Sequence, residues 1–379
     1  MNKICYIATI PAVVNSFLRD HIQAASEKYA VTVVCNSEDK YLLEGLNARV
    51  ILLPIERKPS SWKDAFVLFK LFKLFRHEQF DIVHSHMPKT GLLGMLAARL
   101  VCVPIRINTF HGEVWATRSG WQRKALKLLD QLVSLLATNI LVVSPSQQAF
   151  LIKEGILPQG KAKVIGAGSI CGVNPLRFHS DSDAGFTLRN DLGINQEATV
   201  ILFVGRLNRD KGMLDLATAF YAIAQHHSNV VLLLVGAEED VPFSKIQEIC
   251  NTELECLRYV SFTAMPERFM VAADIFCLPS YREGLPMTIL ESAACGVPTV
   301  ASRIYGITDA VEDEKTGLLF TAGDIAGLTQ SLLKLIDDPL LRQKMGDAAR
   351  VRALELFPSH KITEGMLALY SELLTERHD

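Results

Sequence analysis

The stretch from Val200 to Val235 reads VILFVGRLNRDKGMLDLATAFYAIAQHHSNVVLLLV, and its pattern decides the fold. Two aliphatic runs, Val200–Val204 and Val230–Val235, enclose a segment of helical periodicity that begins near Lys211. A strand, a helix and a second strand in this order are typical of parallel strands joined by a crossover helix. The stretch therefore predicts one βαβ unit of a parallel sheet.

The same alternation recurs along the chain. In the first half it predicts strands near Ile4–Ala8, Val31–Cys35, Arg49–Leu53, Ile82–His84, Ile105–Thr109, Ile140–Val143 and Lys163–Ile165. In the second half it predicts them near Val200–Val204, Val230–Val235, Tyr259–Phe262, Ile275–Leu278, Thr299–Ala301 and Gly317–Phe320. Two such series predict an α/β protein with two doubly wound, Rossmann-like parallel-sheet domains.

The domain boundaries follow from a change in composition. Residues 166–195 are rich in Gly, Ser, Asp and Asn and have little periodicity, which is typical of a linker. We expect a first domain at 1–165, a linker at 166–196, a second domain at 197–357 and a closing helix at 358–379. Because ligands of open parallel sheets bind outside the carboxyl ends of the strands, we expect the site in a cleft between two facing sheets.

Composition narrows the class of protein. The 379 residues are 49% hydrophobic and 21% charged, which is typical of globular proteins. No apolar run reaches the roughly 18 to 20 residues of a membrane span. The N-terminus imitates a signal peptide, but Pro11 and the alternation of Ile4–Ala8 favour a first strand. We therefore expect a cytosolic protein.

Metal, disulfide and dinucleotide sites are all disfavoured. The eight cysteines are scattered singly, mostly within apolar runs, and none forms a Cys-x-x-Cys pair. Asp181-Ser-Asp183 resembles a metal-binding Asp-x-Asp, but it lies in the predicted linker and is read as a solvated turn. No strand is followed by Gly-x-Gly-x-x-Gly, which disfavours a dinucleotide-dependent dehydrogenase.

Charge is distributed unevenly along the chain. Residues 1–165 hold 21 basic and 12 acidic side chains, a net of +9, and the remaining 18 basic and 29 acidic give −11. Two basic segments there, Trp62–Phe80 and Arg118–Leu136, carry aromatic residues, and such helices suit an anionic bilayer interface. The alternative is that both helices pack on the sheet and their lysines merely face water.

The richest motif, LPSYREGLPMTILESAACGVP, occupies residues 278–298. It predicts a strand that ends in a polar turn and a helix that begins near Pro286, a residue suited to the first helical turn. The backbone N–H groups of Gly284 to Met287 and the positive end of the helix dipole would suit an anionic or hydroxyl-rich ligand.

Two acidic residues of this motif are candidates for binding hydroxyl groups. Glu283 lies in the turn and Glu291 lies inside the helix, so both can present to one ligand. The turn carboxylate suits sugar hydroxyls, and the deeper one suits ribose hydroxyls. The alternative is that Glu283 is simply an acid at a helix N-terminus.

A second motif, FVGRLNRDKG at residues 203–212, also joins a strand to a helix. Arg206 emerges after the strand and Lys211 lies at the helix start, so two cations beside backbone N–H groups could bind a diphosphate. Taken alone, the motif also fits a solvated basic turn.

A third group of polar residues follows strands in the first half. His111, in NTFHG at residues 108–112, would project into the cleft, although a lone histidine there is also a common structural residue. In HSHMPKTG at residues 84–91 we expect His84 and His86 to face opposite sides of a strand. His84 would then be buried, whereas His86 and Lys89 could meet an acceptor phosphate.

Together, these motifs resemble family 4 of the retaining glycosyltransferases, which have the GT-B fold. The resemblance rests on Glu283-x7-Glu291, Gly205-Arg206 with Lys211-Gly212, and Thr109-Phe110-His111, and it covers essentially the whole chain. It is closest to bacterial members that build capsule, O-antigen or exopolysaccharide. These members also share stretches similar to residues 84–91, 114–118 and 144–147.

The resemblance implies a role for each catalytic candidate. Arg206 and Lys211 would hold the donor diphosphate, and His111 would contact the sugar near the reacting centre. As the glycosidic bond breaks, negative charge grows on the departing phosphate, and fixed cations with a helix N-terminus can stabilise it without a metal. The first domain would bind the acceptor and the second the nucleotide sugar, with no metal and no cofactor.

The donor-binding set is implied in the same way. Glu283, with the backbone of Gly284, Leu285 and Pro286, would hold the transferred sugar, and Glu291 would hold the ribose. The expected enzyme transfers a sugar, such as an N-acetylhexosamine, from a UDP-sugar to a polyprenyl-pyrophosphate-linked saccharide for cell-surface polysaccharide. It would work as a peripheral protein on the inner face of the cytoplasmic membrane, with no nucleic-acid partner. A UDP-sugar 2-epimerase and a non-catalytic sugar-nucleotide-binding subunit are the alternatives.

Overall fold

A computed structural model describes residues 1–36, 43–56, 60–251 and 256–377. The chain forms two compact units, Met1–Cys171 with Ser359–Asp379, and Gly172–Pro358. His378 and Asp379, the end of the predicted closing segment, lie outside the described residues. Each unit is built around one parallel sheet, as the alternation of aliphatic runs and amphipathic helices predicts.

The strands of the described residues, in chain order, are β1 Lys3–Ile7, β2 Ala30–Cys35, β3 Arg49–Leu52, β4 Ile82–His86, β5 Ile105–Phe110, β6 Asn139–Val142, β7 Ala162–Val164, β8 Thr199–Val204, β9 Val230–Val235, β10 Leu257–Val260, β11 Ile275–Leu278, β12 Thr299–Ser302 and β13 Gly317–Phe320. The first unit's sheet has the order β3-β2-β1-β4-β5-β6-β7, and the second unit's has β10-β9-β8-β11-β12-β13. Neighbouring strands pair in parallel, as Ile7 with Val34 and Val204 with Val235 illustrate. The prediction of two doubly wound, Rossmann-like sheets is confirmed.

The α-helices are α1 Pro11–Val13, α2 Arg19–Ser26, α3 Ser61–Glu78, α4 Pro88–Leu100, α5 Gly120–Leu136, α6 Pro145–Lys153, α7 Ser182–Asp191, α8 Met213–Ala224, α9 Phe243–Cys250, α10 Pro266–Met270, α11 Met287–Ala294, α12 Ile307–Ala310, α13 Ile325–Asp337, α14 Pro339–Leu356 and α15 Ser359–Glu376. A π-helical segment, Val14–Leu18, joins α1 to α2, and short 3-10 helices lie at Val114–Thr117 and Arg209–Lys211. None of the described helices is both long and apolar enough to span a bilayer.

The core of the first unit lies between the sheet and the helices α3 to α6. Val67, Leu71 and Phe75 of α3 are four residues apart, so they share one face of the helix and are buried. They pack in one cluster with Val83 of β4 and Met95 of α4. Burial of this face fixes α3 on the sheet and leaves its opposite face exposed.

The closing helix α15 packs on the first unit through polar contacts to buried histidines. The Tyr370 hydroxyl lies 2.6 Å from Nδ1 of His84, and the Thr363 hydroxyl lies 2.9 Å from Nδ1 of His21. Both histidines are buried. Since buried polar groups are costly without partners, these bonds fix the position of the helix on this sheet.

The region predicted as a linker contains a helix of the second unit. Asp181 accepts a 2.9 Å bond from the Ala184 backbone N–H and caps α7, in place of the solvated turn expected there. A Cβ on Gly185 would lie 2.4 Å from the Val271 carbonyl oxygen, so α7 approaches that backbone closely. Only Gly185 and Leu188 of α7 are buried, which explains why the sequence shows little periodicity.

Candidate functional site

An ion pair between the two predicted donor-binding motifs is the centre of the second unit's candidate site. Lys211 ends a short helical turn after β8, and Glu283 lies in the turn between β11 and α11. The Lys211 Nζ lies 2.5 Å from Glu283 Oε1, and the side chains are only 23% and 11% exposed. The Ser280 hydroxyl donates a 2.7 Å bond to the same carboxylate oxygen. The two motifs, 72 residues apart, thus meet.

A chain of hydrogen bonds connects this pair to Arg206. The backbone N–H of Lys211 donates 2.9 Å to Asn208 Oδ1, and Asn208 Nδ2 donates 2.6 Å to Glu239. Arg206 Nη1 lies 2.5 and 2.6 Å from the two oxygens of Glu239. Both predicted phosphate-binding cations are therefore present in one network, and each is paired with a carboxylate that an incoming diphosphate would have to displace or share.

Two glycines permit the close approach of these loops. Gly212 has φ +71°, and a Cβ there would lie 2.1 Å from the Pro279 carbonyl oxygen. Gly306 has φ +80°, and a Cβ there would lie 2.1 Å from the Gly284 carbonyl oxygen. Only glycine combines this backbone conformation with this spacing. Gly212 therefore holds the Lys211 turn against the strand end that precedes Glu283.

Helix α11 begins at Met287, with Pro286 as the residue before it, close to the predicted start. Leu285 and Met287 are buried, so the segment from Gly284 to Met287 is held firmly against the second unit. Inside the helix, burial raises the pKa of Glu291 to about 7, and Arg177 acts in the opposite direction. Arg177 is itself paired with Glu267 at 2.8 Å. A carboxyl group that changes charge near neutral pH is typical of functional sites.

In the first unit, His111 directly follows β5 and is joined to the end of β4. His86 Nδ1 lies 3.1 Å from His111 Nε2, and the parallel register pairs His86 with Thr109. His111 lines a small pocket together with Met87, Pro88, Asn108, Thr109, Phe110, Gly112, Asp130 and Val133. Burial lowers the pKa of His111 to about 4, so its ring is neutral at physiological pH.

The expectation that His84 and His86 face opposite ways was wrong. Residues two apart in a strand point to the same side, and the two rings lie 4.2 Å apart between centroids. Both side chains are buried. His84 bonds to Tyr370 and to the Thr109 hydroxyl at 2.7 Å, whereas His86 bonds to His111. His86 therefore does not present its ring to solvent, where we expected it to meet an acceptor.

Lys89 lies in the first turn of α4, and its ammonium group is 2.5 Å from the Asp64 carboxylate of α3. Its side chain is 14% exposed. The pair ties α4 to α3, so any contact of Lys89 with a phosphate would compete with Asp64. The structure thus places Lys89 and His111 on the same unit but gives them different partners.

Several residues of these sites were not found from the sequence. Asn208 is a helix-capping residue type directly before Arg209, which is a local signal that could have identified it. Glu239 has no local signal, because residues 207 and 238 are brought side by side by a parallel bridge just beyond the ends of β8 and β9. Asp130 of α5 is buried, accepts a 2.7 Å bond from Trp115 Nε1, and has its pKa raised to about 6 by burial.

Comparison with known proteins identifies the family. Residues 14–168 match the profile described as Glycosyltransferase Family 4, and residues 186–352 match Glycosyl transferases group 1. The chain is 28% identical over 375 residues to the capsular polysaccharide biosynthesis glycosyltransferase CapM of Staphylococcus aureus, covering 99% of this chain and 98% of that one.

Two further proteins are similar over nearly the full length. The UDP-Gal:alpha-D-GlcNAc-diphosphoundecaprenol alpha-1,3-galactosyltransferase of Escherichia coli is 28% identical over 390 aligned positions, covering 99% of this chain and 98% of that one. The structure of a sucrose-phosphate synthase from Thermosynechococcus elongatus superimposes with a TM-score of 0.85 at 21% identity, covering 99% and 100% of the two chains. The chain is therefore an enzyme that belongs to the family 4 glycosyltransferases and has their GT-B fold.

Proposed function

We propose that this glycosyltransferase transfers a sugar from a UDP-sugar to a saccharide carried on a polyprenyl diphosphate, with retention of anomeric configuration. The observation that supports it best is the network in which Arg206, Lys211 and Glu283 meet beside the start of α11. The relative from Escherichia coli has both a UDP-linked donor and a diphosphoundecaprenol-linked acceptor in its name. This chain would build capsule, O-antigen or a similar polysaccharide.

In this proposal, cations of the second unit neutralise the departing nucleotide. Lys211 and Arg206 exchange their carboxylate partners for the donor diphosphate, and Glu283, released from Lys211, accepts hydroxyl groups of the transferred sugar. The backbone of Gly284, Leu285 and Pro286 lines the same turn, and Glu291 accepts the ribose hydroxyls. Preorganised charges of this kind stabilise a transition state by about 3 kcal/mol for each group.

The reaction would proceed by attack on the same face of the sugar from which the phosphate departs. The bond between the anomeric carbon and the β-phosphate oxygen breaks, and the acceptor oxygen bonds to that carbon. The acceptor proton passes to the departing phosphate, so no separate base is needed. His111 contacts the sugar near the reacting carbon, and no divalent ion takes part.

A panel of UDP-sugars incubated with a lipid-linked acceptor, with and without EDTA, tests this function. We expect UDP release and glycosylated lipid with one sugar donor, an α-linked product from an α-linked donor, and the same rate in EDTA. Turnover that is abolished by EDTA and restored by manganese or magnesium would contradict the metal-free mechanism. Release of a free sugar isomer without acceptor would indicate a UDP-sugar 2-epimerase instead.

We also propose that the first unit binds anionic membrane through the outer faces of α3 and α5, with Lys89 near the acceptor phosphate. Trp62 is 89% exposed and Trp121 is 76% exposed, and Phe66 and Phe69 of α3 are about half exposed. Lys70 lies over the Phe66 ring at 5.2 Å. Aromatic side chains beside lysines on a basic unit suit the headgroup region of a bilayer.

Flotation with liposomes tests this surface. Wild-type protein should float with vesicles that contain anionic lipid at low salt, and binding should fall when Phe66 and Phe69 are both replaced by Ser. Phe186→Ser is the matched control, because Phe186 is 57% exposed on the second unit. Protein that stays wholly in the soluble fraction would contradict the proposal.

A further inference from the structure

The bond between His86 and His111 raises a question of which ring donates. Their facing nitrogens, Nδ1 of His86 and Nε2 of His111, lie 3.1 Å apart. Burial lowers the pKa of His111 to about 4 and that of His86 well below its usual value, so both rings are neutral. A neutral imidazole carries one N–H, and therefore one ring must donate and the other must accept.

The other nitrogen of His86 decides the direction. His86 is 1% exposed, and no described residue forms a hydrogen bond with its Nε2. A proton on Nε2 would be a buried donor without an acceptor. A proton on Nδ1 instead leaves Nε2 with only a lone pair that accepts no hydrogen bond. Because buried donors without partners are rarer than incompletely satisfied acceptors, the proton belongs on Nδ1. His86 therefore donates to Nε2 of His111.

The His86 ring is held so that it cannot easily exchange its nitrogens. The His84 ring packs on it at 4.2 Å between centroids, and Tyr6 lies on the same cluster with an interplanar angle of 12° to His86. The Thr90 hydroxyl donates to the His86 backbone carbonyl. Close packing of this kind makes rotation of a buried ring costly.

We propose that His86 is a positioning residue that fixes the tautomer of His111. With Nε2 of His111 accepting from His86, the His111 proton must be on Nδ1. No described residue bonds to that nitrogen, so His111 offers an N–H donor to an oxygen of the transferred sugar. The inference rests on the proposed function for the ligand, but the tautomer itself is a property of the free protein.

Loss of His86 leaves His111 free to carry its proton on either nitrogen. In the second tautomer, Nδ1 of His111 presents a lone pair, so it no longer donates a hydrogen bond to the sugar oxygen. Because only the Nδ1–H tautomer makes this bond, kcat should fall with the fraction of His111 that remains in it, about twofold to tenfold for a mixture of the two tautomers. The effect should fall on kcat more than on KM, since the contact is near the reacting carbon.

The test is nitrogen-15 NMR of the full chain with labelled histidine, in which two-bond couplings distinguish the tautomers. His111→Gln identifies the His111 signals. We expect wild-type His111 to carry its proton on Nδ1, His86→Phe to give mixed tautomers, and His86→Asn, whose amide can donate from the same position, to restore Nδ1–H. His84→Phe is the matched control, because it keeps a ring against His86 and should not change the His111 tautomer.

Rates are measured on the same variants. His86→Phe should lower kcat about twofold to tenfold, in proportion to the fraction of His111 that no longer carries its proton on Nδ1, and His86→Asn should recover most of it. A wild-type proton on Nε2 of His111, or a tautomer unchanged in a folded His86→Phe, would overturn the inference. If wild type transfers no sugar, the proposed function fails, whereas the NMR spectrum still decides whether His86 sets the tautomer.

Discussion

Replacing Lys211 by Ala separates the role of this residue in stability from its role in catalysis. Among the described residues, the substitution leaves the Glu283 carboxylate with one hydrogen-bond partner, the Ser280 hydroxyl, in a site where the Glu283 side chain is 11% exposed. Removing one partner of an ion pair lowers the free energy of unfolding by up to about 1 kcal/mol when the pair is exposed and by about 3–5 kcal/mol when it is buried. For this partly buried pair we expect about 2 kcal/mol, or a fall in Tm of about 4–8 °C.

The catalytic effect of the same substitution should be larger. Loss of one preorganised cation at the departing phosphate costs about 3 kcal/mol, which is a hundredfold or more in kcat/KM. Affinity for UDP, measured by calorimetry, should also fall, and Lys211→Arg should recover part of both because it keeps the charge. Glu283→Gln should instead weaken use of the sugar while leaving UDP binding nearly intact.

Lys245→Ala is the matched control for Lys211→Ala. Lys245 also pairs with a glutamate of the second unit, Glu248 at 2.8 Å, but its side chain is 48% exposed. It should change neither Tm nor kcat/KM measurably. We expect kcat/KM to fall about a hundredfold or more in Lys211→Ala. If the folded variant kept kcat/KM within about threefold of wild type, the assignment of Lys211 to the diphosphate would be wrong.

Three further outcomes are expected. Gly212→Ala should lower the free energy of unfolding by at least about 2 kcal/mol in a denaturant titration, since its Cβ would meet the Pro279 carbonyl at a positive φ. Tyr370→Phe removes the 2.6 Å bond to His84 and should cost about 1 kcal/mol, measured as a Tm shift. Glu291, with a pKa of about 7, must lose its proton to accept two ribose hydroxyls. As the pH drops below 7, the affinity of the wild type for UDP should therefore fall by up to about tenfold per pH unit relative to that of Glu291→Gln. Parallel pH profiles of the two proteins would contradict this.

The parallel sheets were predictable because buried parallel strands are nearly continuous aliphatic runs. The predicted strand Val230–Val235 has the same first and last residues as β9 in the structure. The least accurate strand was the one predicted at Tyr259–Phe262, which lies at Leu257–Val260. Leu257 is buried and pairs with Leu232, whereas Phe262 is 76% exposed. Hydrophobicity alone therefore placed this strand two residues too far toward the C-terminus.

The sites were predictable only where one local motif carried the signal. The turns that contain Lys211 and Glu283 both connect a strand to the following helix. In a parallel sheet such turns lie together at the carboxyl ends of the strands. The partnership of Arg206 with Glu239 depends on strand pairing, which no single segment encodes. The orientation of His86 was encoded in its spacing from His84, and our expectation misapplied the two-residue period of a strand.

The second unit is one unbroken segment, residues 172–358, whereas the first is completed only by residues 359–376 of α15. During synthesis on the ribosome, the first 171 residues therefore emerge long before Thr363 and Tyr370, the partners of His21 and His84, exist. The seven strands of the first unit emerge before those of the second, but the second unit has its whole segment by residue 358, before α15 has been made. The first unit gains these two hydrogen bonds to its buried imidazoles only after the final helix has left the exit tunnel.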